Sequence, residues 1–264
     1  MVVAEGVQGG GVVTPDPSHA LSFGAGAAGY AAVRPTYPAR AVDWLLEGLT
    51  GAFGERRLRA ADVGAGAGAL TARLVERGLE VVAVDPDAQM LAQLHADVPG
   101  VPTFVGTGER LPLPDSSLDL VVLAQAWHWV DPERASAEVG RVLAPGGRLG
   151  LLWNRRDESE PWVAALGDLL APAPHMAQRS EEPQIGAPLV DAERLTTDRW
   201  THDLSPEDVV GLAASRSYVM TAEPAERQRV LDEVRQLLAT HPDTSGRETV
   251  PVPYTTTCWR ARRA

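Results

Sequence analysis

The stretch Ala61–Ala69, ADVGAGAGA, lies between a run typical of a buried strand and an amphipathic helical run. Its three alternate glycines, Gly64, Gly66 and Gly68, allow backbone angles that other residues avoid, and they let a ligand approach the main chain closely. A glycine-rich turn from a strand into a helix is typical of cofactor sites in α/β proteins. The stretch therefore predicts a βαβ unit with a ligand at its turn.

Short apolar runs alternate with helical stripes on both sides of this loop. We predict strands at 58–63, 81–84, 102–105, 118–124 and 148–153, and helices at 69–77, 86–96 and 132–143. The strands are apolar throughout instead of alternating, which indicates a sheet buried on both faces. The pattern predicts an α/β fold with a doubly wound, Rossmann-like sheet.

The two ends of the chain have a different character. Residues 1–20 are rich in Gly and Pro without periodicity, so we expect a flexible N-terminal arm. Helices are predicted after Pro38, from 161, after Ser205 as N-cap and at 225–239, and strands near 195–201 and at 250–262. Two prolines in the last strand favour a position at the edge of the sheet.

Composition excludes several kinds of chemistry. The formal net charge is −11, which disfavours a dedicated binder of nucleic acid or anionic membrane. All 24 basic residues are arginines, so mechanisms that need a lysine amine are excluded, among them a Walker-type phosphate loop and a pyridoxal Schiff base. Cys258 is the one cysteine, and the six histidines are isolated, so no metal site is predicted.

The chain also contains no targeting or membrane signal that we can identify. No apolar run approaches the roughly 18 residues of a membrane span. The first twenty residues have neither a basic region nor a compact apolar segment, unlike a secretory signal. We therefore expect a cytoplasmic protein.

Two cofactor classes compete for the glycine loop. Gly64, Gly66 and Ala69 satisfy the dinucleotide fingerprint, and Asp85 follows Gly64 by 85 − 64 = 21 positions, close to the ~20 expected for an acid on a ribose hydroxyl. Asp62 favours the other class. A carboxylate beside the loop would repel a pyrophosphate at the helix N-terminus, whereas it would attract a cofactor with an ammonium and a sulfonium.

The complete pattern, Asp62-x-Gly64-x-Gly66-x-Gly68 with an acid ending the next strand, resembles the class I S-adenosylmethionine-dependent methyltransferases. The segments 106–119 (GTGERLPLPDSSLD) and 141–149 (RVLAPGGRL) continue the resemblance in the order typical of that family. The flanks YAAVRPTYP at 30–38 and QAWHWVD at 125–131 look like its small-molecule subset, which includes trans-aconitate methyltransferases. The last third of the chain resembles this subset more loosely.

The resemblance implies a seven-stranded, mostly parallel sheet with an antiparallel C-terminal strand and added helices. It implies one methyltransferase domain over 21–264, with a cofactor-binding core at about 58–153 and a substrate-side elaboration at about 154–246. S-adenosylmethionine would be the cofactor and S-adenosylhomocysteine the product. The acceptor would be an oxygen, nitrogen or carbon of a small molecule, with a carboxylate or a secondary metabolite among the options, and neither nucleic acid nor a membrane would be a partner.

The resemblance also assigns roles to residues of the cofactor site. The glycine loop would pack against the methionine portion and the sugar, with Asp62 near the amino end. Asp85 would bind the ribose hydroxyls, although an alternative is that it caps the following helix. The expected cofactor-binding residues are Asp62, Gly64, Ala65, Gly66, Gly68, Asp85, Pro86, Thr107, Gly108, Glu109 and Gln125.

The acceptor side has fewer constraints from sequence. His128 is the candidate general base, because imidazole titrates near neutral pH and the residue lies in the loop facing the presumed cofactor. An equal alternative is a histidine that only bonds the backbone. The expected substrate-binding residues are Tyr30, Arg34, Trp127, Trp129, Trp153 and Asn154.

Each of these residues also has a structural interpretation. We expect ordinary core packing for one of the two tryptophans Trp127 and Trp129, and Arg34 could pair with an acid instead of a substrate carboxylate. Asn154, Arg155 and Arg156 follow Trp153 at the rim of the sheet, where we expect one of them to contact the substrate, and two adjacent arginines usually include a solvated one.

Two other functions stay open at this point. One is a nicotinamide-dependent oxidoreductase, which needs Asp62 turned away from the loop. The other is a protein that binds S-adenosylmethionine without transferring its methyl group.

Overall fold

The computed structural model describes residues 33–54, 56–170 and 182–264. The predicted arm at 1–20 and Tyr30 lie outside the described residues. The described chain forms an eight-stranded mixed sheet flanked by helices.

The strands are β1 (Arg59–Val63), β2 (Glu80–Asp85), β3 (Thr103–Val105), β4 (Leu118–Ala124), β5 (Leu143–Arg156), β6 (Leu189–Thr196), β7 (Trp200–Leu204) and β8 (Val250–Arg263). Their order in the sheet is β3-β2-β1-β4-β5-β8-β6, and β7 also pairs with β8. Strands β1 to β5 are parallel, whereas β8 is antiparallel to β5, β6 and β7. The order reverses next to β1, and such a switch point places a crevice at the carboxyl ends of β1 and β4.

The helices are α1 (Ala39–Leu46), α2 (Leu49–Ala52), α3 (Ala69–Glu76), α4 (Ala88–Asp97), α5 (Pro132–Val142), α6 (Pro161–Leu170), α7 (Pro206–Ala214), α8 (Ser217–Thr221) and α9 (Pro224–Thr240), with a 3₁₀ turn at Trp127–Trp129. In the part of the chain that the structure describes, none of the helices has the length and apolarity that crossing a membrane requires. Ser205 caps α7 as predicted, because its hydroxyl accepts the N–H of Asp208.

Alternate residues of the central strands pack on opposite faces. Leu120 and Val122 of β4 pack with α1 and α3, whereas Val121 and Leu123 pack with α5. A third apolar cluster unites α6, α7 and α9 with the first half of β8. The doubly wound α/β prediction is confirmed, because both faces of the sheet are buried by helices.

The C-terminal strand departs from prediction, since it lies inside the sheet and not at its edge. Pro251 and Pro253 are tolerated because β5 pairs with β8 only from Tyr254 onward, so this segment pairs with β7 alone. The carbonyl of Pro253 accepts the N–H of Asp157, which places the proline nitrogens on the side where β5 has ended. The reciprocal bond from residue 253 to the carbonyl of Asp157 cannot form, so the β5–β8 ladder ends at this pair, and Pro251 lies beyond it.

Three element boundaries also differ from the sequence prediction. The strand expected near 195–201 spans the break between β6 and β7, which adds an eighth strand. The fifth strand begins at Leu143, where a helix was expected to end, and it continues to Arg156. Gly146 and Gly147 interrupt the helical pattern there, and β5 resumes its pairing with β4 at Arg148. Pairing with β8 carries β5 past Trp153.

Candidate functional site

The glycine loop joins β1 to α3 at the carboxyl edge of the sheet. Gly64, Gly66 and Gly68 have φ values of +68°, +54° and +91°, a left-handed region of the backbone that residues with a Cβ rarely adopt. A Cβ on Gly64 would lie 2.6 Å from Cβ of Ala126, and one on Gly68 would lie 2.8 Å from Cγ of Leu94. At Gly66 a Cβ would meet open space. Two glycines therefore permit close packing, and the third leaves the loop backbone accessible to a ligand.

Asp62 lies beneath this loop and is almost fully buried. One carboxylate oxygen, Oδ2, accepts a 2.7 Å hydrogen bond from the hydroxyl of Thr71 in α3. The other, Oδ1, is buried and has no hydrogen-bond partner among the residues that the structure describes. Burial raises the pKa of the Asp62 carboxyl to about 7; the Thr71 bond opposes this rise and the charge of Asp85 adds to it. The arrangement suits a cationic partner at Oδ1.

Asp85 ends β2 and ties the loop to this strand. Its Oδ2 accepts the N–H of Gly66 at 2.8 Å, and its Oδ1 accepts the N–H of Asp87 at 2.9 Å. Burial raises the pKa of the Asp85 carboxyl, and these two backbone bonds oppose the rise. The residue that caps α4 is Asp87, whose side chain accepts the N–H of Gln89. Asp85 is thus not the cap, and it lies directly beside the open glycine.

The segment after β3 continues this edge. The N–H of Gly106 bonds the carbonyl of Asp85 at 3.2 Å, and a tight turn follows between Thr107 and Arg110. Gly108 packs against Val130, where a Cβ would lie 2.9 Å from Cγ1. Glu109 accepts the N–H of Asp131 at 2.9 Å. The structure therefore places Thr107, Gly108 and Glu109 between Asp85 and the 3₁₀ turn.

Gln125 follows β4 in the left-handed region, with φ at +57°. Such a conformation is rare for a residue other than glycine and is found often at functional sites. The backbone N–H of Gln125 bonds the carbonyl of Leu152, and its side-chain Nε2 bonds the carbonyl of Asn154 at 2.9 Å. Two bonds to β5 therefore hold this turn, and the next residue, Ala126, packs against Gly64.

The 3₁₀ turn separates the two tryptophans that the sequence could not distinguish. Trp127 is buried in the core, and its indole N–H bonds the carbonyl of Gln184 at 3.1 Å. Trp129 is half-buried, and its ring lies 5.0 Å from the ring of His128, which is also half-buried. Core packing therefore accounts for Trp127, whereas His128 and Trp129 lie closer to the surface.

Asn154, near the end of β5, joins three parts of the chain. Its side-chain N–H bonds the carbonyl of Thr36 at 2.9 Å, and its Oδ1 accepts the hydroxyl of Thr256 at 2.7 Å. Trp153 points to the opposite face and packs against the cluster that contains Trp127. Asn154 thus anchors neighbouring backbone with its amide, and both polar ends of the side chain are engaged.

Residues 33–38, which we name the strap, connect α1 to this region. The carbonyl of Val33 lies 3.2 Å from Nε2 of His202 in β7. The guanidinium of Arg34 donates to the carbonyl of Ser215 at 2.7 Å, and Arg73 of α3 donates to the hydroxyl of Thr36 at 2.9 Å. The strap therefore bridges α3, β5, β7 and the end of α7.

Two residues that sequence reasoning did not select, Thr71 and Tyr254, belong to this region, as does Arg156, one of three residues after Trp153 of which the sequence predicted one to contact the substrate. Thr71 pairs with Asp62, and a hydroxyl in the first turn of the helix after the loop was a usable signal. Arg156 and Tyr254 lie opposite one another in β5 and β8, and their polar atoms are buried. No local pattern predicted that Arg156 faces Tyr254. The antiparallel pairing of β5 with β8 brings the two residues together, and the sequence had favoured an edge position for β8.

Comparison with known proteins agrees with this geometry. A family model described as a methyltransferase domain matches residues 61–151. An uncharacterised methyltransferase of Mycobacterium tuberculosis is 47% identical over 249 residues, covering 92% of this chain and 96% of the relative. An uncharacterised methyltransferase of Schizosaccharomyces pombe is 30% identical over 243 residues, covering 89% of this chain and 94% of the relative.

A solved structure has the same fold. A protein of Anaeromyxobacter dehalogenans, described as a type II methyltransferase, superposes with a TM-score of 0.60 and 28% identity, covering 87% of this chain and 97% of that one. Sequence identity and shared fold extend over nearly the whole chain in these cases. The chain belongs to the class I S-adenosylmethionine-dependent methyltransferases.

Proposed function

We propose that this methyltransferase binds S-adenosylmethionine at the Asp62–Gly66–Asp85 edge and methylates a small-molecule acceptor. The observation that carries the cofactor part is the buried Oδ1 of Asp62, which has no hydrogen-bond partner within the described ranges and lies under a loop that is open at Gly66. A buried carboxylate oxygen without a partner is costly, and a bound cation removes that cost.

The residues present fit this cofactor. Asp62 would hold the ammonium, and the backbone at Gly66 would lie against the methionine portion. Asp85 would accept the ribose hydroxyls, because each of its oxygens accepts one backbone N–H and retains a lone pair. Thr107, Gly108 and Glu109 would surround the adenine. When bound, the cofactor supplies an electrophilic methyl carbon.

The acceptor would lie on the β5 side of Gln125. The strap, Asn154 and the turn that contains Gln125 are joined by hydrogen bonds there, which supports a small enclosed site over an open surface for a macromolecule. Alignment of acceptor and methyl carbon is the main catalytic task in such a displacement. His128 would remove the acceptor's proton where the acceptor carries one, and Trp129 would form part of the wall beside it.

The two alternatives differ in what they require of Asp62. A nicotinamide cofactor would bring a pyrophosphate to the loop, where a buried Asp62 carboxylate opposes it, and family membership also disfavours it. A protein that binds S-adenosylmethionine without methyl transfer would keep the same binding residues. Product analysis distinguishes this last case, because such a protein would bind S-adenosylmethionine and form no S-adenosylhomocysteine.

Calorimetric titration of the purified protein with S-adenosylhomocysteine, NAD and NADP tests the proposal. We expect micromolar binding of S-adenosylhomocysteine and none of the two nicotinamide cofactors. Asp62→Asn should weaken binding about 100-fold, because a buried charge-assisted bond is lost, while the exposed Asp168→Asn should leave it unchanged. Binding of NAD or NADP alone, or equal binding by Asp62→Asn, would overturn the cofactor assignment.

The reaction itself needs a second assay with isotope-labelled methyl donor. Incubation with a panel of small carboxylic acids, amines and phenols should yield labelled product together with S-adenosylhomocysteine. A methyl that mild alkali releases would identify carboxylate O-methylation, and an alkali-resistant methyl would exclude it. Labelled S-adenosylmethionine that binds yet gives no product with any acceptor class would favour the non-transferring alternative.

A further inference from the structure

Arg156 is a buried cation at the end of β5. Its side chain is only 11% exposed, and its Nε and Nη1 atoms have no hydrogen-bond partner in the part of the chain described. Its nearest carboxylate is Glu158, whose Oε1 lies 3.7 Å from Nη2 and whose side chain is half-exposed. A guanidinium in this position lacks most of the compensation that a buried charge requires.

The neighbouring acids do not supply that compensation. Asp157 and Glu160 both pair with Arg199, at 3.4 and 2.5 Å. Glu158 packs against α6, since a Cβ on Gly167 would lie 2.7 Å from its Oε1. The anionic groups next to Arg156 in sequence are therefore directed to other partners or held at long range.

Tyr254 is the residue directly across from Arg156 in the antiparallel pairing of β5 and β8. Opposed residues share a face, with Cβ atoms about 5 Å apart. Tyr254 is 1% exposed and its ring stacks on Trp200 at 5.2 Å, yet its hydroxyl is buried without a hydrogen-bond partner among the described residues. Two buried donors thus lie side by side and do not bond each other.

The pair lies next to the acceptor side of the proposed site. Arg156 is two residues beyond Asn154 on the same face of β5, a step of about 7 Å along the strand. The side-chain amide of Asn154 donates to the carbonyl of Thr36 in the strap, and its main-chain carbonyl accepts the side-chain N–H of Gln125. Arg156 and Tyr254 therefore lie one side-chain position along the sheet from Asn154, whose main-chain carbonyl holds the turn that contains Gln125.

We propose that Arg156 and Tyr254 bind a carboxylate group of the methyl acceptor; this inference rests on the proposed function and specifies its substrate class. One carboxylate oxygen would accept from Arg156 Nη1 and the other from the Tyr254 hydroxyl. A single guanidinium balances the single charge of a carboxylate, whereas a phosphate dianion would leave negative charge uncompensated in a buried position. The acceptor is thus an organic acid whose methylated atom lies toward Gln125.

Four proteins test this: the wild type, Arg156→Gln, Tyr254→Phe and Arg155→Gln. Arg155→Gln is the matched control, because it removes the same charge from an exposed residue on the opposite face of the same strand. Each is titrated at constant ionic strength with acetate, succinate, propane-1,2,3-tricarboxylate, the amides of these acids and inorganic phosphate, with and without saturating S-adenosylhomocysteine.

We expect at least one carboxylate to bind the wild type and Arg155→Gln equally, with its amide at least tenfold weaker. Arg156→Gln should lose at least tenfold in affinity and Tyr254→Phe about fivefold. The ligand-free Tyr254→Phe protein should melt at the same or a higher temperature, since it loses only an unpartnered hydroxyl. A tyrosine with a structural role would instead lower the melting temperature when it is replaced. An unchanged or higher melting temperature together with weaker ligand binding therefore indicates a ligand-binding tyrosine, and it shows that the variant is folded.

Three results would overturn the inference. They are the absence of any carboxylate binding up to tens of millimolar, equal binding by all four proteins, and phosphate binding tighter than every carboxylate. Failure of S-adenosylhomocysteine to bind is a separate outcome, which contradicts the proposed cofactor site and leaves the carboxylate titrations of the ligand-free protein to decide this inference.

Discussion

The two halves of the molecule are built by contacts of very different range. In the half that carries the proposed cofactor site, residues 59–131 (the cofactor half), the bond from Thr71 to Asp62 spans 9 residues and the bond from Gly66 to Asp85 spans 19. In the half where the acceptor is proposed to bind, the strap and residues 154–263 (the acceptor half), the bond from Asn154 to Thr36 spans 118 residues.

The strap shows the same contrast in its other bonds. The contact of His202 with Val33 spans 169 residues, and the bond from Arg34 to Ser215 spans 181. The bonds around Asp62, Gly66 and Asp85 are therefore short-range in sequence, whereas those of the strap form only when distant segments meet. This difference predicts which substitutions affect binding, turnover or stability.

The largest effect should come from the candidate general base in the 3₁₀ turn. His128→Ala should lower kcat by about 10²–10⁴ if His128 is the base, with the affinity for S-adenosylhomocysteine unchanged. Turnover at saturating acceptor measures this, with the exposed His95→Ala as control. A loss of less than about threefold would show that the acceptor needs no base from this residue.

A pair of glycine substitutions should separate packing from ligand access within the cofactor half. Gly64→Ala should cost about 3 kcal/mol of unfolding free energy, because its Cβ meets Ala126 at 2.6 Å and its φ is positive. Gly66→Ala should cost only about 1 kcal/mol, since open space surrounds it, yet it should weaken S-adenosylhomocysteine binding. Denaturant unfolding and calorimetry give the two readouts. Equal stability losses at both positions would contradict the distinction.

The raised pKa of Asp62 makes the stability of the cofactor half depend on pH. Because the folded protein holds this proton up to about pH 7 and the unfolded chain releases it near pH 4, stability contributed by the protonated group is lost as pH rises through that window. Between pH 5.5 and 7.5 the wild type should lose about 2 kcal/mol relative to Asp62→Asn.

Binding should have the opposite pH dependence. An ammonium needs the ionised carboxylate, so the affinity for S-adenosylhomocysteine should rise with pH up to about 7 in the wild type and less steeply in Asp62→Asn. Because the charge of Asp85 raises the pKa of Asp62, the difference between the two profiles includes the coupling of the two carboxyls. Parallel pH profiles for the two proteins would show that Asp62 does not hold the cation.

The smallest effect tests the independence of the acceptor half. Asn154→Ala should cost about 1.5 kcal/mol, because it removes the bonds to Thr36 and Thr256, while S-adenosylhomocysteine affinity should change less than twofold. Asn154→Asp keeps the acceptor for Thr256 but sets a carboxylate oxygen against the carbonyl of Thr36 in a buried position, so it should cost at least as much stability as Asn154→Ala. A large loss of cofactor affinity in either variant would mean that the two halves are coupled.

Local pattern predicted the elements that carry the proposed cofactor site. The alternation of apolar runs and helical stripes gave the doubly wound sheet, and the glycine spacing gave the loop between β1 and α3. The wrong predictions concern features that strand pairing across the sheet determines. They are the position of β8, the break between β6 and β7 and the start of β5. Propensity carries no information about which distant strand supplies the partner.

By itself, the sequence determined the fold class, the absence of lysine chemistry, and the order of Asp62, the glycines and Asp85 along one βαβ unit. These features depend on spacing, and a strand, a turn and a helix in succession leave little freedom in where their side chains lie. Only the tertiary structure decided that Trp127 belongs to the core, that Asp87 and not Asp85 caps α4, and that Arg156 faces Tyr254. Burial and partnership of polar groups are properties of the packed chain, since each depends on which remote segment excludes water from the group.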